Sequence, residues 1–174
     1  MGKECVVYLL GDRVLYGIHG ICEVRELETK TVDRKKVEYY VLVPLEQPAA
    51  RFYVPTQNQA AVSKLRKLMT AEELKSLLET ESVREDEWIQ DENKRKLYYR
   101  SLINSGDRSA LLRMIRTLHN HKQRQAAAGR KFHLCDENFL RDAEKLLTAE
   151  FSMVLGIAPS EVADYIRENL HIKQ

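Results

Sequence analysis

The sequence predicts an α+β protein in two parts, a small β domain followed by an all-α helical bundle, and three observations carry that expectation. Apolar residues recur with a period of two in the first third of the chain and with a period near 3.6 from about Ala71 onward. These are the signatures of half-buried strands and of helices with one buried face. Glycine turns punctuate the first part and helix-capping residues the second. A chain of 174 residues also has room for two small domains.

The β part spans residues 1–57, with strands expected at Arg13 to Tyr16, Ile21 to Thr31, Val37 to Pro44 and Arg51 to Val54, all rich in Val, Ile, Tyr and Leu. Gly11-Asp12 and Gly17 to Gly20 supply the tight turns between them. Residues 58–70 read as a linker and 71–174 as the helical domain. Thr70 followed by Glu73 is a capping box that starts a helix running to about Leu78. Further helices are expected at about Asp91 to Asn104, Arg108 to Arg124, Asp136 to Leu155 and Pro159 to Leu170. Ser105-Gly106-Asp107 separates two of them, with Asp107 placed to cap the next, while Gly156 and Pro159 are stop and start signals.

Composition narrows the function classes. At 44% hydrophobic and 31% charged residues the chain can build a core. No run approaches the roughly 20 apolar residues of a membrane span, and Val6-Val7-Tyr8-Leu9-Leu10 is too short for a signal-peptide core, so a cytoplasmic protein is expected. Cys5, Cys22 and Cys135 form no close pair and read as reduced thiols. Neither a phosphate-binding glycine loop nor a nucleophile elbow occurs. His119-x-His121 and His133-x-Cys135 lack zinc spacing. The expectation is a non-enzymatic protein without metal, cofactor or small-molecule substrate.

Charge placement is more informative than the net charge of +2. Residues 1–57 balance eight basic against eight acidic side chains. Residues 72–92 hold nine acids against Lys75 and Arg84. Between residues 94 and 131 eleven basic side chains face the single acid Asp107, and such a block is usually retained to meet a polyanion. Leu111, Leu112, Ile115 and Leu118 mark a buried stripe that leaves Arg113, Arg116 and Arg124 on other faces of their helix. Lys96 and Arg100, four apart, point the same way. Lys94, Arg95, Lys96, Arg100, Arg113 and Arg116 are the candidate phosphate contacts. Trp88, the single tryptophan, stands just ahead of the block, where it reads either as a partly buried core residue or as an apolar wedge at a DNA groove.

Several motifs carry a resemblance. Gly11-Asp12-Arg13-Val14-Leu15-Tyr16-Gly17-Ile18-His19-Gly20, then Glu38-Tyr39-Tyr40-Val41-Leu42 and Phe52-Tyr53-Val54-Pro55, resemble the N-terminal signatures of CarD-type transcription factors, a module shared with the transcription-repair coupling factor. Ser105-Gly106-Asp107 and Leu134-Cys135-Asp136-Glu137 resemble the helical half of the same family. The resemblance implies a Tudor-like or SH3-like barrel whose edge strand adds to a sheet of the RNA polymerase β-subunit lobe. Lys30 and Tyr53 match family polymerase contacts, with Phe52 beside them, although Arg often fills the first two places. Pro often stands where this chain has Gly17, and Gly where it has Cys22, changes expected to alter the stiffness of the turn rather than its course.

The implied function is that of a bacterial regulator that holds polymerase with one domain and promoter DNA with the other, stabilising the open promoter complex. The family's wedge tryptophan lies nearer the glycine of the Ser-Gly-Asp boundary than Trp88 does, with Glu92 at the nearer place, and one extra helical turn would account for the offset. A free-standing DNA-binding regulator and a protein-interaction adaptor are the competing readings.

Overall fold

A computed structural model describes residues 7–82 and 84–171, which leaves Cys5 outside the described residues. The chain divides into two compact units, one ending at Leu68 and the other starting at Met69.

The first unit is a five-stranded antiparallel sheet in the order β4-β3-β2-β1-β5. Its strands are β1 (Arg13–Tyr16), β2 (Ile21–Val32), β3 (Lys35–Pro44), β4 (Phe52–Pro55) and β5 (Leu65–Lys67), with a short helix α1 (Gln59–Val62) before the last. Strand alternation sends Val14, Cys22, Val24, Tyr40, Leu42, Val54 and Leu65 into one core with Tyr8. The Tyr8 hydroxyl donates to the Leu65 carbonyl at 2.9 Å and so fastens β5 to the segment before β1.

Three expectations change here. Residues 58–70 hold α1 and β5 rather than a linker, and the unit boundary falls after β5, between Leu68 and Met69. The three residues of β5 are too few to show a period, and pairing of Val14, Leu15 and Tyr16 with Lys67, Arg66 and Leu65 fixes them as strand. Among the described residues β4 and β5 are the two ends of the sheet order, so backbone pairing does not close a barrel. Gly17 has φ +49°, which proline's fixed φ near −65° excludes, so the turn takes a different course from one built on Pro. Cys22 is wholly buried, and burial pushes its thiol up to about 11, which leaves it protonated and inert.

The second unit contains α2 (Ala71–Glu81), α3 (Glu92–Ser105), α4 (Arg108–Ala127), α5 (Leu134–Leu155) and α6 (Pro159–Asn169). Leu74, Leu78, Tyr99, Leu111, Leu112, Ile115, Leu118, Leu140, Leu147, Phe151 and Ile166 meet in one core. Each such side chain contributes on the order of 1.5–3 kcal/mol on burial. The Thr70–Glu73 capping box forms in both directions, at 3.2 and 2.8 Å, and α2 runs three residues beyond the expected end. Gly106 ends α3 in the left-handed region at φ +60°, and Asp107 then caps α4 through the Ala110 amide at 2.9 Å. Among the described residues no single helix is long and apolar enough to cross a membrane.

Candidate functional site

Two surfaces collect the residues that the sequence singles out, one in each unit. On the sheet, β4 is an edge strand whose partners on β3 are Leu42, Val41, Tyr40 and Tyr39 for Phe52, Tyr53, Val54 and Pro55 in turn. Antiparallel pairs alternate between hydrogen-bonded and non-bonded. Thr56 donates its amide to the Glu38 carbonyl at 2.9 Å, so Val54 and Phe52 are the bonded positions on β4. Tyr53 and Pro55 therefore turn their backbone groups to the free edge. Proline at the outward position removes a donor from that edge, a common way of limiting indiscriminate strand pairing. Tyr53 remains there with both its N–H and its C=O.

The side chains on this edge are ordered by contacts between strands. The Lys30 ammonium sits 3.4 Å from the centroid of the Tyr53 ring and 3.7 Å from the Glu28 carboxylate. Tyr39 meets the Tyr53 ring edge to face at 6.3 Å, and Arg51 pairs with Glu26 at 2.9 Å. Tyr53 is 41% exposed. The fold thus brings Lys30 and Tyr53, 23 positions apart in sequence, into one cation–π pair. Phe52 faces the other way. Its ring lies 4.2 Å from His19 and 5.7 Å from Tyr16 and packs against the core, so its side chain is not part of the Lys30–Tyr53 surface.

In the helical unit the basic block proves to be largely neutralised from within. Arg95 is buried and forms a two-pronged pair with Asp136, both bonds at 2.9 Å, while its third nitrogen donates to the Ile89 carbonyl at 2.7 Å. As a candidate DNA contact Arg95 is corrected to an internal anchor. Arg113 joins buried Glu81 at 3.3 Å and Asp86 at 3.1 Å, and Lys96 pairs with Glu92. Arg108 holds fully buried Glu150 at 2.7 Å, Lys122 holds Glu137 at 3.3 Å and Arg124 holds Glu85 at 3.4 Å. Arg116 is half-buried, with one terminal nitrogen enclosed and without a hydrogen-bond partner among the described residues.

The acidic run that precedes the basic block supplies most of these partners. Residues 84–91 form an irregular strap across α4, held by Glu85, by Asp86, by the Asp86 amide on the Thr117 hydroxyl at 3.2 Å, and by Trp88. Among the described residues Lys94, Arg100, Arg130 and Lys131 are exposed and form no ion pair. Lys122 and Arg124 stay 45% and 66% exposed, and pairs of that kind contribute only about 0–1 kcal/mol, so they exchange partners readily.

Trp88 belongs to this strap. Its indole stacks on His121 with ring centroids 3.5 Å apart and planes 8° from parallel, and the Arg95 guanidinium lies 4.4 Å from its centroid. The ring is half-buried against the helical core. No extra helical turn carries it, because α3 begins only at Glu92, with Asp91 as its cap. The sequence gives no signal of the His121 partner, which lies 33 residues away.

Burial holds the His121 imidazole below its ordinary range, Asp136 opposes that shift, and Arg95, Arg124 and Arg130 reinforce it. As pH falls, the unfolded chain takes up this proton first, near the ordinary pKa of about 6.5. The contribution of a neutral His121 is therefore fully present above that value and declines as pH drops toward the lower folded pKa. Denaturant unfolding at pH 7.5 and 5.5, about one unit either side of that ordinary value, is expected to show a larger loss for the wild type than for His121→Gln. Equal losses would mean that His121 contributes nothing to the pH dependence of stability.

Residues 8–69, which cover nearly all of the sheet unit's described residues, match the family model described as the CarD-like/TRCF RID domain. A sheet with an ordered free edge and this match define a transcription-related protein that carries an RNA polymerase-interacting domain. That domain is of the CarD-like type shared with the transcription-repair coupling factor, and it ends where the helical unit begins. No curated protein matches the chain.

Proposed function

We propose that this protein is a non-enzymatic transcription regulator that docks on the β-subunit lobe of RNA polymerase through β4 and stabilises the open promoter complex with its helical unit. The observation that carries the reading is the free edge at Tyr53, inside the span matched to a polymerase-interacting domain. Strand addition at such an edge draws affinity from backbone hydrogen bonds and specificity from the side chains beside them, here Lys30 and Tyr53. Promoter DNA would meet Lys94, Arg100, Arg130 and Lys131 through phosphates, without sequence selection. Tethering to polymerase raises the local concentration of DNA, so a few cations suffice. The internal pairing of Arg95, Lys96, Arg108 and Arg113 lends support to a second reading, a protein-interaction adaptor that leaves promoter DNA alone.

Calorimetry of the full chain with the isolated β lobe tests the docking. Tyr53→Pro removes an outward N–H and no bond within the sheet, so circular dichroism should be unchanged while affinity falls at least about tenfold, equivalent to roughly 1.4 kcal/mol. Lys30→Glu should weaken binding with the fold intact. Wild-type affinity in a folded Tyr53→Pro variant would refute docking through this edge. Docking without any change in open-complex lifetime would favour the adaptor.

A further inference from the structure

The β2–β3 hairpin extends well beyond the rest of the sheet. β1 reaches only Ile21 to Glu23 and β4 only Tyr39 to Leu42, so the pairs Lys30·Val37, Thr31·Lys36 and Val32·Lys35 form a ribbon of two strands alone. Asp33 and Arg34 close it with φ of +49° and +63°. Two successive positive φ values are the mark of a type I′ turn, which favours glycine at its second position. This chain keeps an arginine there and follows it with Lys35 and Lys36. All four turn residues are exposed.

The even charge of the first 57 residues conceals this cluster. Glu23, Glu26 and Glu28 are engaged by Arg25, Arg51 and Lys30, Asp12 accepts from the Leu9 amide, and Glu38 accepts from Thr56. Among the described residues Arg34, Lys35 and Lys36 form no ion pair, with Asp33 the one acid of the turn. Lys35 and Lys36 are neighbours on a strand and so stand on opposite faces of the ribbon, with Arg34 at its end. A flat acidic surface could engage one of these faces. A groove with anionic walls engages both faces and the tip together.

We infer that this ribbon tip is a second nucleic-acid contact, with Arg34, Lys35 and Lys36 reaching phosphates on the two walls of the major groove of duplex DNA. That groove is about 12 Å wide and about 8.5 Å deep and admits a two-stranded ribbon. Three residue pairs at about 3.4 Å each give a projection of about 10 Å, which matches the depth. The contact is one of phosphates, not bases, since lysine and arginine there meet charge on both sides. It does not depend on docking at β4 and is open to test with DNA alone.

Fluorescence anisotropy of the full chain on a short labelled duplex, read across a salt series, supplies the test. Each phosphate contact removed should lower the slope of log affinity against log salt by about 0.9, so the triple variant Arg34→Gly/Lys35→Ala/Lys36→Ala should lose about 2.7. Arg34→Gly alone separates contact from fold, because glycine suits the turn: the melting temperature should hold or rise while the slope falls by about 0.9. An unchanged slope and affinity in the triple variant overturns the proposal, as does a wild-type chain with no measurable affinity for the duplex. So does a triple variant that keeps DNA binding and loses affinity for polymerase, which would make the tip's partner an acidic protein surface.

Discussion

Asp136→Ala is expected to destabilise the helical unit by about 3–5 kcal/mol, because it leaves the Arg95 guanidinium buried without its counter-charge. Both partners are almost fully enclosed, at 5% exposure for Arg95 and 2% for Asp136, so water does not replace the lost carboxylate. For a unit of this size the loss corresponds to a fall of more than about 10 °C in melting temperature. The pair also positions the strap, since Arg95 bonds the Ile89 and Gln90 carbonyls and lies over Trp88. A double variant, Arg95→Met with Asp136→Leu, removes both charges and should recover much of the stability. If Asp136→Ala melts with the wild type, the pair does not anchor the helical unit.

Trp88→Ala is expected to lower stability by about 2 kcal/mol, below the roughly 3–5 kcal/mol of a fully buried tryptophan because the indole is half-buried. A tryptophan acting only as a wedge in DNA would, when truncated, leave stability close to wild type and shorten the life of the open complex. The stack on His121 changes the first of these expectations: an indole that closes the strap over α4 contributes to the fold whether or not it touches DNA. The two contributions separate in one comparison. His121→Ala removes the stacking partner and leaves the indole, so it should reduce stability with little effect on open-complex lifetime, whereas Trp88→Ala should reduce both. If the two variants shorten the lifetime equally, Trp88 acts only by holding the strap.

Features set by neighbours in sequence are legible in the sequence alone. The Thr70–Glu73 box, the Asp107 cap and the left-handed Gly106 are local devices, and the helix starts and stops follow from them to within a few residues. What escaped depends on residues far apart in the chain. β5 is a strand only because β1 pairs with it, and α1 only leads into it from β4.

Charge was the most misleading signal, and in both directions. An excess of basic residues along α3 and α4 met carboxylates from α2, the strap and α5, over separations such as the 41 residues between Arg95 and Asp136. The balanced first 57 residues instead left three cations together at a hairpin tip. Net charge per segment counts residues, whereas a partner meets only the charges that the fold has not already paired.

Docking by strand addition requires the outward backbone of Tyr53 on β4 to pair with a partner sheet, and amide hydrogen exchange reads that pairing directly. In the free chain the Val54 amide, at a bonded position within the sheet, should exchange slowly, while the outward Tyr53 amide should exchange rapidly. On addition of the polymerase β lobe, Tyr53 should become protected by at least about tenfold, as its N–H enters a new ladder. A complex that forms with the Tyr53 amide still exchanging at its free rate would contradict strand addition at β4.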